Sequence, residues 1–380
     1  MHRTDPPPER ALLAQALVNG RDPGEAEESL HELARLADTA GAVVVGHVTQ
    51  RRTAASAATL VGKGKVEELR VAIRACGANT VFFDNDLSPM QVNNLDRALG
   101  VKVIDRTELI LQIFARRAQT AEARIQVELA QLRYLLSRLP ETERQARFTG
   151  GIGMKGPGES PLQLRNAPMR RRISELKKQL EVIRERRDRT RRDPVHPTVA
   201  LVGYTNVGKS TLLNLLSKQA DAYVDDRVFA TLDTRTRQIY LAPKRSARLT
   251  DTVGFIRNIP HDLIASFRST LDVARDADLL LVVADASATR LEDHIRVTYE
   301  TLALIGADAL PTLLVLNKTD RADSFETVLH ATEAHPDAIP VSASTGAGIP
   351  RLRATILEEL QKVFPLWRPA PTATPSRTAT

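Results

Sequence analysis

Short apolar runs alternate with amphipathic stretches through the first hundred residues. Residues 1 to about 40 combine a Pro-rich start with a helical pattern, and residues 66–75 place apolar side chains on one helical face. Ser88 is a plausible N-cap for a helix that continues through Leu99. Three β-branched or aromatic runs predict strands at residues 42–45, 80–83 and 101–104. The pattern therefore predicts a small α/β domain with partly parallel strands over residues 1–106.

Coiled-coil-like spacing replaces this alternation over residues 107–192. Residues 107–139 contain neither Pro nor Gly, which indicates a long helical segment. Apolar residues repeat there at four-three spacing, at Ile125, Leu129, Leu132, Leu136 and Leu139. A helix predicted from about Pro168 to Arg192 has a similar period, at Ile173, Leu176, Leu180 and Ile183. Because a Gly-rich stretch at residues 150–158 separates them, the two segments predict an antiparallel helical hairpin.

A second α/β alternation follows a linker at residues 193–197. Apolar runs without polar alternation predict strands at residues 199–202, 247–250, 279–283, 312–316 and 339–341. Such runs are typical of a mostly parallel sheet that helices cover on both faces. We predict this domain over residues 198–364, with a disordered tail in the Pro/Thr/Ala-rich residues 365–380.

A phosphate-binding motif joins the first of these strands to a predicted helix. It consists of Gly203, Tyr204, Thr205, Asn206, Val207, Gly208, Lys209 and Ser210, followed by Thr211. The glycines let backbone N–H groups surround phosphate oxygens, and the helix directs its positive end towards them. Lys209 is placed to reach the β- and γ-phosphates, and Ser210 to hold Mg²⁺. A simple glycine turn is the alternative, but the full spacing and the strand–helix context favour a nucleotide site.

The next motif consists of Asp251, Thr252, Val253 and Gly254, directly after the strand at residues 247–250. An aspartate at a strand end can support Mg²⁺ through water, and the glycine N–H can meet the γ-phosphate. The tetrapeptide recurs by chance in many proteins. Its position 42 residues after Lys209 makes it informative here.

Base selectivity is indicated by Asn317, Lys318, Thr319 and Asp320, which follow the strand at residues 312–316. A carboxylate at this place accepts hydrogen bonds from the N1–H and the exocyclic amine of guanine, a donor pair that adenine lacks. Ser342, Ala343 and Ser344 follow the last strand and would close over the base. A solvated polar loop is the alternative for Asn317 to Asp320. Together the motifs predict a GTPase that uses GTP as substrate and Mg²⁺ as cofactor.

A switch loop is expected at Phe229, Ala230, Thr231, Leu232 and Asp233. Such a loop offers a threonine hydroxyl to Mg²⁺ in the triphosphate state, and spacing alone leaves Thr231, Thr234 and Thr236 open. Phe255 follows Gly254, at the place where many GTPases carry a glutamine that orients the attacking water. Because a phenyl ring cannot orient water, we predict slow intrinsic hydrolysis that a partner stimulates.

Composition narrows the cellular setting. The single cysteine among 380 residues, Cys76, excludes an intrachain disulfide and a cysteine-based zinc site. Aromatic residues make up only 4% of the chain, which argues against extensive stacking platforms for single-stranded nucleic acid. There is neither an apolar run of about 18 residues nor a signal-peptide core, so we expect a cytoplasmic protein without a membrane span.

The positive charge is concentrated in one predicted helix. Residues 165–192 contain twelve Lys/Arg and four Asp/Glu, a net charge of +8 in a chain whose total is +7. This imbalance predicts a surface for a polyanion, with a solvated helix face as the alternative. Residues 62–65, Gly-Lys-Gly-Lys, also open a helix. They lack the full phosphate-loop spacing, so a structural turn is favoured over a second nucleotide site.

Taken together, these motifs resemble those of the HflX-type GTPases over nearly the whole chain. In the nucleotide domain the resemblance rests on the phosphate loop, the Phe-Ala-Thr-Leu-Asp segment and the run Asp-Thr-Val-Gly-Phe. Upstream it rests on residues 87–89, 105–107, 126–132, 150–153 and 156–159. The sequence departs from the family pattern in two places. Residues 159–168 lack the acidic residues that the family usually carries after the position of Glu159, and they include Pro161 and Pro168. Thr234 stands where the family usually has proline.

The resemblance implies that Thr231 is the switch residue that ligates Mg²⁺. It also implies binding to the large ribosomal subunit, with the hairpin reaching towards the peptidyl-transferase region, and splitting of stalled ribosomes under stress. The basic residues 165–192 are then the expected contact with rRNA phosphates, and we expect a monomer that is cytoplasmic, ribosome-associated or peripheral to a membrane. Two alternatives remain: a nucleotide-switched RNA-binding adaptor with incidental hydrolysis, and an ATP-driven RNA remodeller, against which residues 317–320 argue.

Overall fold

The described residues form two compact units, one up to residue 185 and one of residues 186–256 and from 268 on. The computed structural model describes residues 8–18, 20, 22–138, 161–190, 196–217, 235–256, 268–321, 325–364 and 367. Each unit contains its own sheet, which is parallel in the first unit and mostly parallel in the second. Among the residues described, no helix is long and apolar enough to cross a bilayer.

The N-terminal unit is built on a four-stranded parallel sheet with the order β2-β1-β3-β4. Its strands are β1 (Arg10–Val18), β2 (Val43–Arg52), β3 (Thr80–Phe83) and β4 (Lys102–Asp105). Its helices are α1 (Pro23–Thr39), α2 (Lys63–Cys76), α3 (Pro89–Leu99), α4 (Arg106–Arg117) and α5 (Ala121–Ser137), followed by α6 (Pro161–Thr190), which extends across the boundary between the units. The prediction of an N-terminal α/β domain is confirmed.

Strand β1 is the main error of the sequence interpretation, which assigned a helical pattern to this region. Leu12, Leu13 and Leu17 are all buried, because β1 lies between β2 and β3 and is covered on both faces. Such a strand shows no polar alternation, and a short Leu/Ala run has no period that separates it from a helix. The predicted helix start at Ser88 is confirmed, since Ser88 and Gln91 form a reciprocal capping box.

A buried charged cluster lies at the carboxyl ends of strands β3 and β4 of this sheet. Arg106 is 2% exposed; its Nη1 lies 2.8 Å from Asp84 Oδ1, and its Nη2 lies 2.8 Å from Glu32 Oε2. Ser29 Oγ and Gln15 Nε2 also donate hydrogen bonds to the Asp84 carboxylate. The cluster joins α1, β1, the end of β3 and the start of α4.

We expect the Arg106→Met substitution to lower the free energy of unfolding by about 3–5 kcal/mol, because it leaves two buried carboxylates without their cation. Lys65→Met is the control, since Lys65 pairs with exposed Glu68 and its replacement should cost less than about 1 kcal/mol. Urea unfolding followed by circular dichroism measures both variants. The fluorescence of the single tryptophan, Trp367, reports the C-terminal unit separately. Equal losses for the two variants would contradict a structural role for the cluster.

The long helical segment predicted at residues 107–139 is two helices, α4 and α5. The helix ends at Arg117, and Thr120 begins a new one because its Oγ1 accepts a hydrogen bond from the Ala123 N–H. Asp105 then ties α5 to the sheet, since it accepts hydrogen bonds from the Tyr134 hydroxyl, at 2.7 Å, and from Arg138. Burial, reinforced by Asp105, raises the pKa of Tyr134 and keeps its hydroxyl a donor.

The two predicted hairpin helices contact each other. Arg172 of α6 forms a bidentate pair with Glu128 of α5, at 2.6 and 3.0 Å, and the pair lowers the pKa of Glu128. Leu176 of the predicted seam is fully buried. Helix α6 starts at residue 161 rather than at Pro168, which lies inside it although proline removes one backbone hydrogen bond. Leu139 and the predicted loop at residues 150–158 lie outside the described residues.

The C-terminal unit contains a six-stranded sheet with the order β10-β9-β8-β5-β7-β6, in which only β6 runs antiparallel to its neighbour. Its strands are β5 (Thr198–Gly203), β6 (Arg235–Ala242), β7 (Arg245–Asp251), β8 (Leu279–Asp285), β9 (Thr312–Asn317) and β10 (Ile339–Pro340). Its helices are α7 (Lys209–Ser217), α8 (Arg268–Arg275), α9 (Leu291–Leu304), α10 (Phe325–Ala334) and α11 (Ile349–Val363).

The five strands predicted for this unit are confirmed, with small differences at their ends. Strand β6 was not predicted, because it is a half-exposed edge strand with Arg235, Arg237 and Gln238 among its residues. The carboxyl ends of β5, β7, β8 and β9 lie along one edge of the sheet. The motifs predicted from the sequence follow these strand ends.

Candidate nucleotide site

The phosphate loop connects the end of β5 at Gly203 to the start of α7 at Lys209. Lys209 is 7% exposed. Its ammonium donates hydrogen bonds to the carbonyl oxygens of Gly203, at 3.0 Å, and Tyr204, at 2.7 Å. Burial lowers the pKa of Lys209 to about 8, and nearby Asp251 partly opposes this shift. A buried ammonium at a helix N-terminus is suited to neutralise phosphate charge.

Two oxygen ligands suited to a divalent cation meet beside the loop. Ser210 Oγ donates a hydrogen bond to Asp251 Oδ2 at 2.6 Å, and Asp251 is fully buried at the end of β7. Strand β7 pairs with β5, which brings Asp251 beside Leu201. A hydroxyl and a carboxylate are the donors that Mg²⁺ prefers. These residues therefore fit the predicted metal.

Phe255, which follows the motif of residues 251–254, pairs through its backbone with the phosphate loop. The Phe255 N–H donates to the Gly203 carbonyl oxygen at 3.0 Å, and the Thr205 N–H donates to the Phe255 carbonyl oxygen at 2.8 Å. The Phe255 side chain is 1% exposed. This residue is thus a packed and backbone-paired hydrophobe that offers no polar atom of its side chain to a water molecule.

Gly254 lies in close contact with the phosphate loop. A Cβ at Gly254 would lie 2.8 Å from Thr205 Cγ2 and 3.1 Å from Lys209 Nζ. Only glycine permits this approach, which places the Gly254 backbone beside the ammonium. Neighbouring Thr252 is buried and donates to the Leu201 carbonyl oxygen at 2.6 Å, and Val253 is also buried.

The predicted base-recognition segment is bonded directly to the phosphate loop. Asn317 Nδ2 donates to the Val207 carbonyl oxygen at 2.8 Å, and Asn317 Oδ1 accepts from the Ala343 N–H at 3.0 Å. Lys318 Nζ donates to the Asn206 carbonyl oxygen at 2.7 Å. Three segments that are distant in sequence therefore meet at Asn317.

Asp320 is oriented by the segment after β10. Ser344 Oγ donates to Asp320 Oδ2 at 2.7 Å, and Ser342 Oγ lies 3.0 Å from Ser344 Oγ. Hydrogen bonds from Ser344 and then Ser342 lower the pKa of Asp320, so its carboxylate is ionised at neutral pH. The Thr319 hydroxyl donates a hydrogen bond to the Val341 carbonyl oxygen at 3.0 Å.

Some predicted residues lie outside these contacts. The predicted switch residues 229–233, including Thr231, are outside the described residues, as is Thr234. Thr236 lies on β6, where its hydroxyl is 2.9 Å from that of Thr250. Thr211 is half-buried in the first turn of α7.

Two residues near the site were missed from the sequence. Asp285 ends β8 and contacts Lys318, and His294 on α9 stacks on the Tyr204 ring with centroids 4.1 Å apart. A polar residue at the carboxyl end of an apolar strand was an available signal for Asp285. A lone histidine on a helix carried no such signal.

Gly208 also permits a close contact, and its replacement should disrupt the link between the loops. Gly208 has φ of 91°, and a Cβ there would lie 2.4 Å from Asn317 Nδ2. We expect Gly208→Ala to lower the affinity for GDP by at least about tenfold, because both the backbone and the Asn317 contact must shift. Gly64→Ala is the control, since its Cβ meets nothing within 4 Å. Titration with a fluorescent GDP derivative measures both, and an unchanged affinity of the Gly208 variant would contradict the expectation.

Together, the mostly parallel sheet, the phosphate loop and the base-recognition segment define a P-loop GTPase. Three family models match the chain. They are described as "GTP-binding GTPase N-terminal" for residues 27–115, "GTP-binding GTPase Middle Region" for residues 117–193 and "50S ribosome-binding GTPase" for residues 198–318.

Similar proteins agree with this class. GTPase HflX of Escherichia coli (strain K12) is 44% identical over 341 residues, which cover 88% of this chain and 79% of the relative. GTPase HflX of Caldanaerobacter subterraneus subsp. tengcongensis is 43% identical over 358 residues, which cover 93% and 81%. A crystal structure of an SsGBP and GDP complex is 25% identical, with a TM-score of 0.52 and coverage of 94% of this chain and 99% of that one. The chain belongs to the HflX family of GTPases.

Proposed function

We propose that this GTPase hydrolyses GTP at the site formed by its phosphate loop and base-recognition segment, and that its nucleotide state controls binding to the large ribosomal subunit. The observation that carries this proposal is the direct bond between Asn317 and the Val207 carbonyl oxygen. This bond joins a guanine-selective carboxylate and a phosphate-neutralising ammonium into one site. In this site Asp320 selects guanine, Lys209 neutralises phosphate charge, and the Gly254 N–H contacts the γ-phosphate.

Mg²⁺ is the proposed metal, held by Ser210 and, in the triphosphate state, by Thr231. The support is the hydroxyl–carboxylate pair of Ser210 and Asp251. A bound Mg²⁺ would neutralise the charge that develops on the phosphate oxygens. The chain's own residues orient the substrate, because Lys209 and the backbone N–H groups of the phosphate loop hold the phosphates in place.

Slow turnover in the absence of a partner follows from Phe255. Its buried ring and its paired backbone leave no side-chain group that orients the attacking water. The proposed partner supplies or orders that group. A single-turnover measurement tests this point directly, and rapid hydrolysis by the isolated protein would contradict it.

The proposed partner is the large ribosomal subunit, which the description "50S ribosome-binding GTPase" of the family model supports. Arg170, Arg171, Lys177 and Lys178 of α6 are exposed. Arg172 is partly neutralised by Glu128, whereas these four side chains form a cationic face suited to rRNA phosphates. We further propose that the protein acts as a cytoplasmic monomer and splits or rescues stalled ribosomes under stress.

Sedimentation with ribosomes tests the binding and splitting steps. We expect the protein to cosediment with large subunits in the presence of a non-hydrolysable GTP analogue and much less with GDP. Intact ribosomes treated in the same way should shift towards separate subunits in a sucrose gradient. Binding that is equal in both nucleotide states would contradict a nucleotide-controlled role. Binding without any shift would remove splitting from the proposal and leave association.

A nucleotide-switched RNA-binding adaptor with incidental hydrolysis is the second candidate. Phe255 favours it, because a residue that offers no group to water is compatible with a site used only as a switch. GTP turnover with and without large subunits separates the two candidates. An adaptor binds the subunit in the GTP state without any increase in turnover.

The cationic face of α6 gives a separate prediction. Replacing Arg170, Arg171, Lys177 and Lys178 by Gln should weaken binding to large subunits by at least about tenfold. It should also flatten the salt dependence of binding, because fewer phosphate contacts form and fewer counterions are released. A variant with Arg35, Arg74, Arg97 and Arg351 changed to Gln is the control, since these arginines are also exposed but lie on other elements. If both variants lose the same affinity, total charge rather than the α6 face is responsible.

A further inference from the structure

A carboxylate at the carboxyl end of β8 contacts the base-recognition segment. Asp285 is the last residue of β8 and pairs in register with Asn317 of β9. Its Oδ2 lies 2.8 Å from Lys318 Nζ, and the two side chains are 15% and 24% exposed. An ion pair that is largely screened from solvent is held more firmly than a surface pair.

Lys318 is in a backbone conformation that needs support. Its φ is 65°, in the left-handed region that residues other than glycine rarely adopt. Asn206 of the phosphate loop has φ of 60°. The Lys318 ammonium links its own segment to the phosphate loop, since it donates a hydrogen bond to the Asn206 carbonyl oxygen at 2.7 Å. The same ammonium also pairs with Asp285. The ammonium therefore has one contact on the phosphate loop and one on β8.

The other Asp285 oxygen fixes the orientation of the carboxylate. Oδ1 accepts hydrogen bonds from the Ser287 N–H at 3.0 Å and from the Ser287 hydroxyl at 2.6 Å. This arrangement could also serve only to close the turn after β8. The two possibilities use different oxygens of Asp285, so substitutions can separate them.

We propose that Asp285 is a positioning residue for guanine nucleotide binding and acts through Lys318. Its charge holds the Lys318 ammonium against the phosphate loop, so that the base-recognition segment and the phosphate loop are aligned before nucleotide binds. This inference rests on the proposed guanine site at residues 317–320. Its effect is on affinity for the nucleotide as a whole and does not extend to the choice of base, which belongs to Asp320.

A double-mutant cycle tests the proposal with the full-length protein and fluorescent GDP as the probe. Asp285→Asn keeps the shape and the acceptor oxygen for Ser287 but removes the charge, and we expect about tenfold weaker binding with faster release. Lys318→Met keeps the aliphatic stem, and we expect a similar loss. The double variant should bind no more weakly than Lys318→Met, because the two groups act as one unit. An additional full loss in the double variant would overturn the proposal.

Three controls separate positioning from a purely structural role. Ser287→Ala should leave GDP affinity within about threefold of the unmodified protein, whereas a loss equal to that of Asp285→Asn would assign the effect to the turn. Asp293→Asn, at an ion pair with Arg290 and Arg296, should have no effect on binding. Asp285→Glu retains the charge and should recover most of the affinity, and failure to do so would also overturn the proposal.

The relative affinity for GDP and xanthosine diphosphate distinguishes failure of this inference from failure of the guanine site. It should be unchanged in Asp285→Asn and reversed in Asp320→Asn. If Asp320→Asn leaves the preference unchanged, the guanine site itself is wrong. If Asp320→Asn reverses the preference while Asp285→Asn binds normally, only the role of Asp285 is wrong.

Discussion

Replacing Lys209 by Met is expected to lower the affinity for GTP and GDP by at least about a hundredfold, because the phosphates lose the only buried ammonium among the described residues of the site. The ammonium is held by the Gly203 and Tyr204 carbonyl oxygens, at 3.0 and 2.7 Å, and lies beside Gly254. These backbone contacts fix its position, in contrast to the ammonium of a flexible lysine on the surface. Equilibrium titration with a fluorescent nucleotide measures the loss.

Lys362→Met is the matched control, because Lys362 is exposed on α11 and pairs there with Glu359. Its nucleotide affinity should equal that of the unmodified protein. Thermal unfolding without nucleotide shows whether Lys209→Met remains folded. A folded Lys209 variant that still binds GDP with normal affinity would show that the phosphates are held elsewhere.

Replacing Asp320 by Asn is expected to change the preference from guanine to xanthine nucleotides, with a change in the affinity ratio of about a thousandfold. The Asp320 carboxylate is an acceptor with a lowered pKa, because Ser344 and Ser342 donate hydrogen bonds to it. It can therefore accept from both donors of guanine. An amide presents a donor instead, which matches the carbonyl oxygen that xanthine has in place of the guanine amine.

Asp337→Asn provides the control, since Asp337 is exposed on the turn before β10. Competition titrations with GDP, xanthosine diphosphate and ADP measure the preference of both variants. A preference that does not change in Asp320→Asn would contradict guanine selection by this residue. It would also reopen the possibility of an ATP-driven function.

Local motifs made much of this site predictable from the sequence. The phosphate loop requires a fixed spacing between Gly203 and Ser210, and that spacing is contained within eight residues. Asp251 and Asp320 each follow an apolar run, and the carboxyl ends of neighbouring strands in a parallel sheet lie at the same edge. Motif spacing and the predicted mostly parallel sheet together therefore indicated this site.

The features that were missed depend on contacts between distant segments. Strand β1 has the composition of a helix, and only its place between β2 and β3 makes it a strand. Asp285 contacts Lys318 because β8 and β9 pair in a particular register, which no local pattern specifies. The start of α5 was missed for a local reason, because the cap that the Thr120 hydroxyl forms was concealed by uninterrupted helical composition.

Phe255 shows what the structure adds to a correct sequence-based observation. The sequence indicates only that a glutamine is replaced. The structure shows that the replacement is fully buried and that its backbone is paired with Gly203 and Thr205. The residue therefore joins the Asp251 segment to the phosphate loop, in addition to lacking a group that could orient water.

The steady-state rate of GTP hydrolysis with and without purified large ribosomal subunits tests the central claim most directly. We predict slow turnover by the isolated protein and an increase of at least about tenfold with large subunits, because the partner must complete a site that Phe255 leaves without a water-orienting group. Small subunits at the same concentration should produce no such increase. Equal rates with and without large subunits would contradict the claim that the ribosome completes this GTPase.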